Sequence, residues 1–193
     1  MSEVYVATDI ESNGPSPGHH SMLSFGSVAF TPDKTILSTF TRNLELLQGA
    51  GEYPPTMAWW RTQQDGWRAC RTRPVQPRRA MIDYADWLKN LPGKPIFVAH
   101  PVAFDYAWIS WYLWEFVGED PFERRSLDLS SYAAALLSRP VTECNKERMP
   151  KHWFDKDFVH NHQALDDAMG YAKLTCNILG ERRDAGRCGA AGA

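Results

Sequence analysis

The stretch EVYVATDIE, residues 3–11, alternates like a β-strand and carries two carboxylates at its end. Successive side chains of a strand point to opposite faces, so Asp9 and Glu11 project together from the face that carries Tyr5 and Ala7. The alternation predicts a half-buried strand. Two carboxylates on an apolar face are costly unless a cation lies between them. An isolated Asp-x-Glu pair more often marks a strand that ends in a polar loop, so this pair alone is weak evidence.

The elements around this strand predict an α/β fold. Two more strands follow it closely, which favours an antiparallel meander, and helices then alternate with strands, which favours parallel pairing. The predicted strands cover 4–11, 23–30, 35–43, 95–100 and 126–129, and the predicted helices cover 59–60, 77–90, 104–117, 130–137 and 163–179. Residues 138–161 are predicted to form a loop near the site. We therefore expect a mixed sheet flanked by helices, without a derived strand order.

Bulk composition indicates one ordinary domain. The 193 residues are 44% hydrophobic, and we predict a domain over 1–180 and a frayed tail over 181–193. The net charge of −2 does not indicate a protein that coats nucleic acid nonspecifically. Four widely spaced cysteines predict reduced thiols, and the sequence has neither a signal-peptide pattern nor an apolar stretch of ~20 residues. A cytoplasmic protein with no membrane partner is expected.

Three further residues could join the first two acids. Asp167 interrupts an otherwise apolar stripe of the last helix, whereas its neighbour Asp166 falls on the polar stripe. His162 precedes Asp167 by five residues and would lie over whatever Asp167 binds, although an exposed loop histidine beside His160 is the simpler interpretation. Asp105 opens the helix that follows the 95–100 strand. A helix N-terminal carboxylate that interacts with the dipole is an equal alternative for Asp105.

Taken together, these residues resemble the DEDD superfamily of 3′→5′ exonucleases, in the branch whose fifth residue is histidine (DEDDh). That branch includes RNase T, oligoribonuclease and polymerase proofreading subunits. The resemblance rests on three segments that cover nearly the whole chain: TDIESNG at 8–14, AHPVAFD at 99–105 and HQALDDA at 162–168. Two departures, Pro101 where many relatives have Asn and the Pro/Gly-rich segment 14–21, affect the expected shape of the 3′-terminal pocket.

The resemblance implies an RNase H-like fold and a two-metal-ion 3′→5′ exonuclease acting on single-stranded RNA or DNA. It implies two divalent cations, Mg²⁺ or Mn²⁺, held by the four acids Asp9, Glu11, Asp105 and Asp167, with His162 as general base. RNA is slightly favoured over DNA by analogy, because the chain is small and has no polymerase or helicase segments. Two alternatives stay open: a catalytically inactive nucleic-acid- or protein-binding domain on the same fold, and a metal phosphoesterase with a small substrate.

Substrate contacts are predicted at the end of the first motif and at nearby apolar residues. The predicted substrate-binding residues are Ser12, Asn13, Gly14, Met22, Leu23, Trp59 and Trp60. The alternative for both tryptophans is a place in the core. Six arginines could guide the phosphate backbone: Arg61, Arg68, Arg71, Arg73, Arg78 and Arg79. Aromatic side chains over 108–114 could support a homodimer.

Overall fold

The computed structural model describes residues 3–156 and 161–190, and for 182–190 it describes only the helical backbone. Five strands form one sheet in the order β3-β2-β1-β4-β5. Their bounds are β1 Glu3–Ser12, β2 Met22–Phe30, β3 Ile36–Asn43, β4 Lys94–Ala99 and β5 Ser126–Asp128. The pairs β1–β2 and β2–β3 are antiparallel, and β1–β4 and β4–β5 are parallel. The predicted mixed sheet is confirmed.

In the described part of the chain, six α-helices accompany the sheet. They are α1 Pro54–Trp60, α2 Gln64–Cys70, α3 Pro77–Lys89, α4 Val102–Phe116, α5 Leu129–Leu137 and α6 Ala164–Ala190. The sequence did not predict α2, which has only two turns and contains a glycine. The predicted end of the last helix at 179 is wrong because α6 continues through 190, where helix-favouring Ala and Arg residues recur. The domain boundary at 180 stays a prediction.

Strand β1 is buried on both faces. Val4, Val6 and Ile10 join one core cluster with side chains of α3 and α4. Ala7 joins a second cluster, on the other side of the sheet, with side chains of α5 and α6. The predicted half-buried strand is therefore wrong, because helices cover both faces of this central strand. As a result, the carboxylates at the end of β1 lie between two packed layers.

A glycine in β2 sets how closely α6 approaches the sheet. Gly26 pairs with Asp9 across the β1–β2 ladder. A Cβ atom at position 26 would lie 2.4 Å from the backbone nitrogen of Leu165 and 2.5 Å from its Cα. The first turn of α6 thus rests directly on the strand next to Asp9, which only glycine permits. This contact brings the start of α6, and with it Asp167, to the end of β1.

The structure bears on the cysteines and on membrane-spanning helices only within the residues that it describes. The thiols of Cys70, Cys144 and Cys176 are free and buried, and the side chain of Cys188 lies outside the described residues, as does His160. Among the helices that the structure describes, none combines the length and apolar character that crossing a bilayer requires.

Candidate active site

Four buried acids from three elements meet at the carboxyl end of β1. Asp9 and Glu11 come from β1, Asp105 from the first turn of α4, and Asp167 from the first turn of α6. All four are at least 92% buried, and Asp167 is fully buried. A cavity of about 290 Å³ opens onto Asp9, Glu11 and Asp105. The sequence-predicted convergence of the four acids is therefore present in the fold.

Backbone amides hold two of these carboxylates in place. The backbone N–H of Ile10 donates to Oδ1 of Asp105 at 3.2 Å, which ties α4 to the end of β1. Asp167 accepts from the backbone N–H of Asn161 at 3.3 Å and from that of His162 at 3.1 Å. Asp167 thus fixes the segment that carries His162. The interpretation of Asp105 as only a helix N-terminal carboxylate is too narrow, because Asp105 also lines the cavity.

The His162 side chain lies in the site and not on an exposed loop. Its Nδ1 is 3.7 Å from Oε1 of Glu11. The backbone adopts a positive φ of 57°, which is uncommon outside glycine. The ring of Trp59 meets the imidazole edge to face at 4.8 Å between centroids, and a Cβ atom at Gly66 would lie 3.0 Å from the His162 Cβ. Helices α1 and α2 therefore hold the histidine against the acids.

The electrostatics of the cavity favour binding of a cation. Burial, followed by repulsion from Asp105, Glu11 and Asp167, raises the pKa of Asp9 well above its ordinary value. Burial and the same kind of repulsion raise the pKa of Glu11 to about 9, and burial raises that of Asp105 to about 7. Each shift measures how strongly the site disfavours unpaired negative charge.

The donor set fits divalent metal ions. Ligand atoms of Glu11, His162 and Asp167 lie within 4.8 Å of one another. Carboxylate oxygens, with one imidazole nitrogen beside them, suit hard ions such as Mg²⁺ and Mn²⁺. The buried carboxylates of Asp9 and Asp105, whose charge is disfavoured without a cation, extend this donor set. The residues present thus fit the metal site that the resemblance implies.

A lysine that the motifs did not identify also lines this cavity. Lys146 belongs to the segment between α5 and α6, and its Nζ donates a hydrogen bond to the Tyr171 hydroxyl. Burial lowers the pKa of its ammonium, and the carboxylates of Asp9, Asp167 and Asp105 oppose that effect. No periodicity or spacing marks a lone lysine in an irregular segment, so sequence reasoning could only predict that the 138–161 segment lies near the site.

Comparison with known proteins agrees with this geometry, although no family model matches the chain. The 3′-5′ DNA exonuclease Cap18 of Escherichia coli is 28% identical over 169 residues, which are 82% of this chain and 86% of Cap18. A crystal structure of a full-length 3′-exonuclease superposes with a TM-score of 0.70 at 14% identity, over 93% of this chain and 82% of that one. The nuclease domain of 3′hExo, a DEDDh family member bound to rAMP, superposes with a TM-score of 0.66 at 14% identity, over 92% of both chains.

The resemblance to the DEDDh exonucleases is confirmed. The RNase H-like mixed sheet flanked by helices is confirmed with it. E. coli exonuclease I, in a complex with a dA16 oligonucleotide, also superposes, with a TM-score of 0.68 at 11% identity over 95% of this chain and 42% of that one. Among the structural neighbours, S. pombe Pop2p has been crystallised with Mg²⁺ and Mn²⁺. The similarity to Cap18 supports a nuclease, and the solved structures share the fold of this chain.

The residues predicted to contact bases divide into two groups. Met22, Leu23 and Trp60 are at most 2% exposed and pack in the core, so the prediction of base contact is corrected for these three. Leu23 and Trp60 stabilise the fold where β2 meets α1, and Met22 packs in the cluster with side chains of α3 and α4. Trp59 is 39% exposed and lines the cavity. The alternative that both tryptophans are core residues therefore holds for Trp60 and fails for Trp59.

The end of the first motif forms a tightly bonded loop. The Asn13 side chain accepts from the backbone N–H of Ser21 at 2.6 Å, and its backbone carbonyl accepts from Tyr53 at 2.9 Å. The Ser12 hydroxyl donates to the Gly14 carbonyl at 2.8 Å, and the Ser12 carbonyl accepts from the Trp60 indole at 2.9 Å. These side chains organise the loop beside the site. A role of Ser12, Asn13 and Gly14 in substrate binding stays a prediction.

The predicted arginine patch is not one continuous surface. Arg78 donates to the Phe116 carbonyl at 3.0 Å, near the end of α4 that is roughly 16 Å along the helix from Asp105. Arg79 pairs with Asp83, and Arg71 donates to the Leu44 carbonyl at 2.8 Å. Arg61 follows Trp60 at the end of α1, on the helix that carries Trp59 into the cavity. A guiding role is therefore favoured for Arg61 and not for Arg78 or Arg79.

The predicted dimer surface is mostly absent. Trp108 is fully buried against α4 neighbours, because it faces the core and not the solvent. Trp114, by contrast, is 57% exposed. Within 108–114, Trp114 is the one exposed aromatic side chain, which gives too little apolar area for a stable homodimer interface, so the structure does not support the expected dimer.

Proposed function

We propose that this chain is a 3′→5′ exonuclease that uses two divalent cations to hydrolyse phosphodiester bonds at the 3′ end of single-stranded nucleic acid. The observation that carries the proposal is that Asp9, Glu11, Asp105 and His162 line one cavity, with a ligand atom of buried Asp167 within 4.8 Å of those of Glu11 and His162. Such a group of buried acids has no structural use that would offset its cost. The similarity to Cap18 supports the same activity.

In this proposal, each of the four acids has its own part in binding the two cations. Asp9 would bind both cations, Glu11 and Asp167 would complete the site of the first, and Asp105 would support the second. The cations, Mg²⁺ or Mn²⁺, supply a water of lowered pKa and positive charge for the reacting phosphate. The raised pKa values of Asp9, Glu11 and Asp105 support this role, because cations would let these groups ionise.

His162 would accept the proton of the attacking water. Histidine suits this role because its ordinary pKa of about 6.5 lies close to neutral pH. Trp59 holds the imidazole ring from one side, while Asp167 holds the backbone of the same residue through its amide. These contacts hold the imidazole at the cavity, so that little of its motion has to be lost when the substrate binds.

The sugar preference is the finer part of the proposal. By analogy, a small chain without polymerase or helicase segments slightly favours RNA. The name of Cap18 specifies DNA, whereas the structure of 3′hExo contains rAMP. The sequence of 3′hExo is only 14% identical to this chain, so that similarity shows the fold alone. We therefore propose single-stranded nucleic acid as the substrate class, and the Cap18 similarity supports DNA as the first substrate to test.

The test is digestion of matched end-labelled RNA and DNA oligomers, single- and double-stranded, with Mg²⁺ or with EDTA. We expect stepwise shortening from the 3′ end, dependence on Mg²⁺ and faster digestion of single strands. Asp167→Asn should abolish turnover without unfolding the protein. Asp166→Asn is the matched control, because Asp166 is exposed beside Asp167, and it should digest at a rate close to wild type.

Other outcomes would replace the proposal. Tight oligomer binding without shortening in Mg²⁺ or Mn²⁺ would favour a catalytically inactive binding domain. Rapid hydrolysis of a mononucleotide ester with no digestion of oligomers would favour a small-substrate phosphoesterase. Wild-type rates in Asp167→Asn would refute the assignment of the site.

A further inference from the structure

Lys146 lines the cavity and carries a positive charge that the proposed metal chemistry does not use. Its ammonium donates to the Tyr171 hydroxyl, and its Nζ lies 4.5 Å from the centroid of the Tyr171 ring. Tyr171 follows Asp167 by one helical turn on α6, so the lysine is fixed to the wall of the same cavity. An ammonium group has three donors, and the bond to Tyr171 uses one of them.

The balance of charge in the cavity indicates which group the other N–H donors of Lys146 would bind. The cavity region holds the carboxylates of Asp9, Glu11, Asp105 and Asp167, which together carry about four negative charges when ionised. Two divalent cations would offset these charges. The charge of Lys146 is then left over, and it lies where the negatively charged phosphodiester must enter. A phosphate oxygen is a strong acceptor for an ammonium donor.

We propose that Lys146 contacts a non-bridging oxygen of the phosphodiester at the cleavage site and stabilises the charge that develops there. This inference rests on the proposed function. Tyr171 is a positioning residue for this contact, because its hydroxyl and ring hold the lysine stem along the cavity wall. The competing role for Lys146 is that of a countercharge for the carboxylates in the absence of cations.

The experiment compares kcat and KM of Lys146→Met, Lys146→Arg and wild type on a labelled single-stranded oligomer. Mg²⁺ is first titrated for each variant, and all rates are taken at saturation, so that a changed metal affinity cannot produce the result. Lys146→Met should lower kcat/KM by about 100-fold, mainly through kcat. Lys146→Arg keeps the charge and should recover part of the loss. Lys151→Met, an exposed lysine of the same segment, is the matched control and should be unchanged.

The salt dependence gives a second readout. Loss of one phosphate contact should make the slope of log(kcat/KM) against log[salt] shallower by about 0.7 for a single strand. An unchanged slope, or a kcat/KM within about twofold of wild type at saturating Mg²⁺, would assign Lys146 to the countercharge role and overturn the inference. Thermal melting of each variant checks the fold, and Lys146→Gln, which keeps a polar tip, replaces the methionine variant if that one melts at the assay temperature.

The two proposals fail differently in this experiment. A wild-type chain that releases no nucleotide from any oligomer refutes the proposed function itself. A wild-type chain that digests the oligomer, together with a Lys146→Met variant that digests it equally well, refutes only the role of Lys146.

Discussion

Gly26→Ala should damage both stability and catalysis, although position 26 touches no substrate. The new methyl carbon would lie 2.4 Å from the backbone nitrogen of Leu165, about 1 Å closer than ordinary van der Waals contact. The opposing atoms are backbone, so α6 must shift away from β2. Overpacking of this kind costs about 2 kcal/mol, which lowers the melting temperature of a chain of this size by about 4–8 °C.

The same shift should separate Asp167 from Asp9, which faces Gly26 across the ladder. A displacement of about 1 Å in a catalytic group can lower the rate by about 100-fold. Circular dichroism melting and kcat/KM on a labelled oligomer in Mg²⁺ measure the two effects. Gly180→Ala is the matched control, since open space surrounds that helical position and alanine favours a helix. A Gly26→Ala protein with wild-type melting and turnover would refute the argument that this glycine sets the position of α6.

Three further predictions concern the site. His162→Ala should lower kcat by about 10²- to 10⁴-fold, and its residual rate should rise with pH as hydroxide replaces the missing base; a wild-type pH profile would contradict this role. Trp59→Ala should lower kcat and raise KM, with Trp59→Phe intermediate, because the ring supports His162 and borders the cavity; equal kinetics in all three proteins would remove Trp59 from the site. In EDTA, Glu11 alone should lower stability by about 1.4 kcal/mol per pH unit between pH 6 and 8, because folded Glu11, with a pKa of about 9, keeps a proton that the unfolded chain has lost, and Asp9 and Asp105 add to the fall. Mn²⁺ should raise the melting temperature most at the alkaline end of this pH range. A melting temperature in EDTA that does not change with pH would contradict the buried acidic site.

Most of the fold could be predicted from local patterns. Alternation in residues 3–11 predicts β1, and short connections predict the antiparallel side of the sheet. Burial of both faces of β1 could not be predicted, because it depends on which helices cover the sheet, and the sequence did not yield the strand order. The sequence pattern predicts neither the short helix α2 nor the extension of α6, because weak periodicity is a poor guide where glycines interrupt a helix.

The site could be predicted to the extent that it consists of motif residues. Acid spacing on β1 and the interrupted stripe of α6 single out Asp9, Glu11 and Asp167, and the resemblance joins them with Asp105 and His162 in one predicted site. The other residues of the site are brought there by contacts between elements that are distant in sequence. Lys146 in the cavity is such a contact, since it joins an irregular segment to α6, and no single-segment pattern records it.

Calorimetric titration of the EDTA-treated protein with Mn²⁺ measures whether the four acids bind divalent cations. Wild type should bind two Mn²⁺ per chain with release of protons, because the raised pKa values of Glu11 and Asp105 require these groups to ionise on binding. Asp9→Asn should lose this binding while keeping its fold. Wild-type protein that takes up no Mn²⁺, or an Asp9→Asn variant that binds it equally well, would contradict cation binding by these acids.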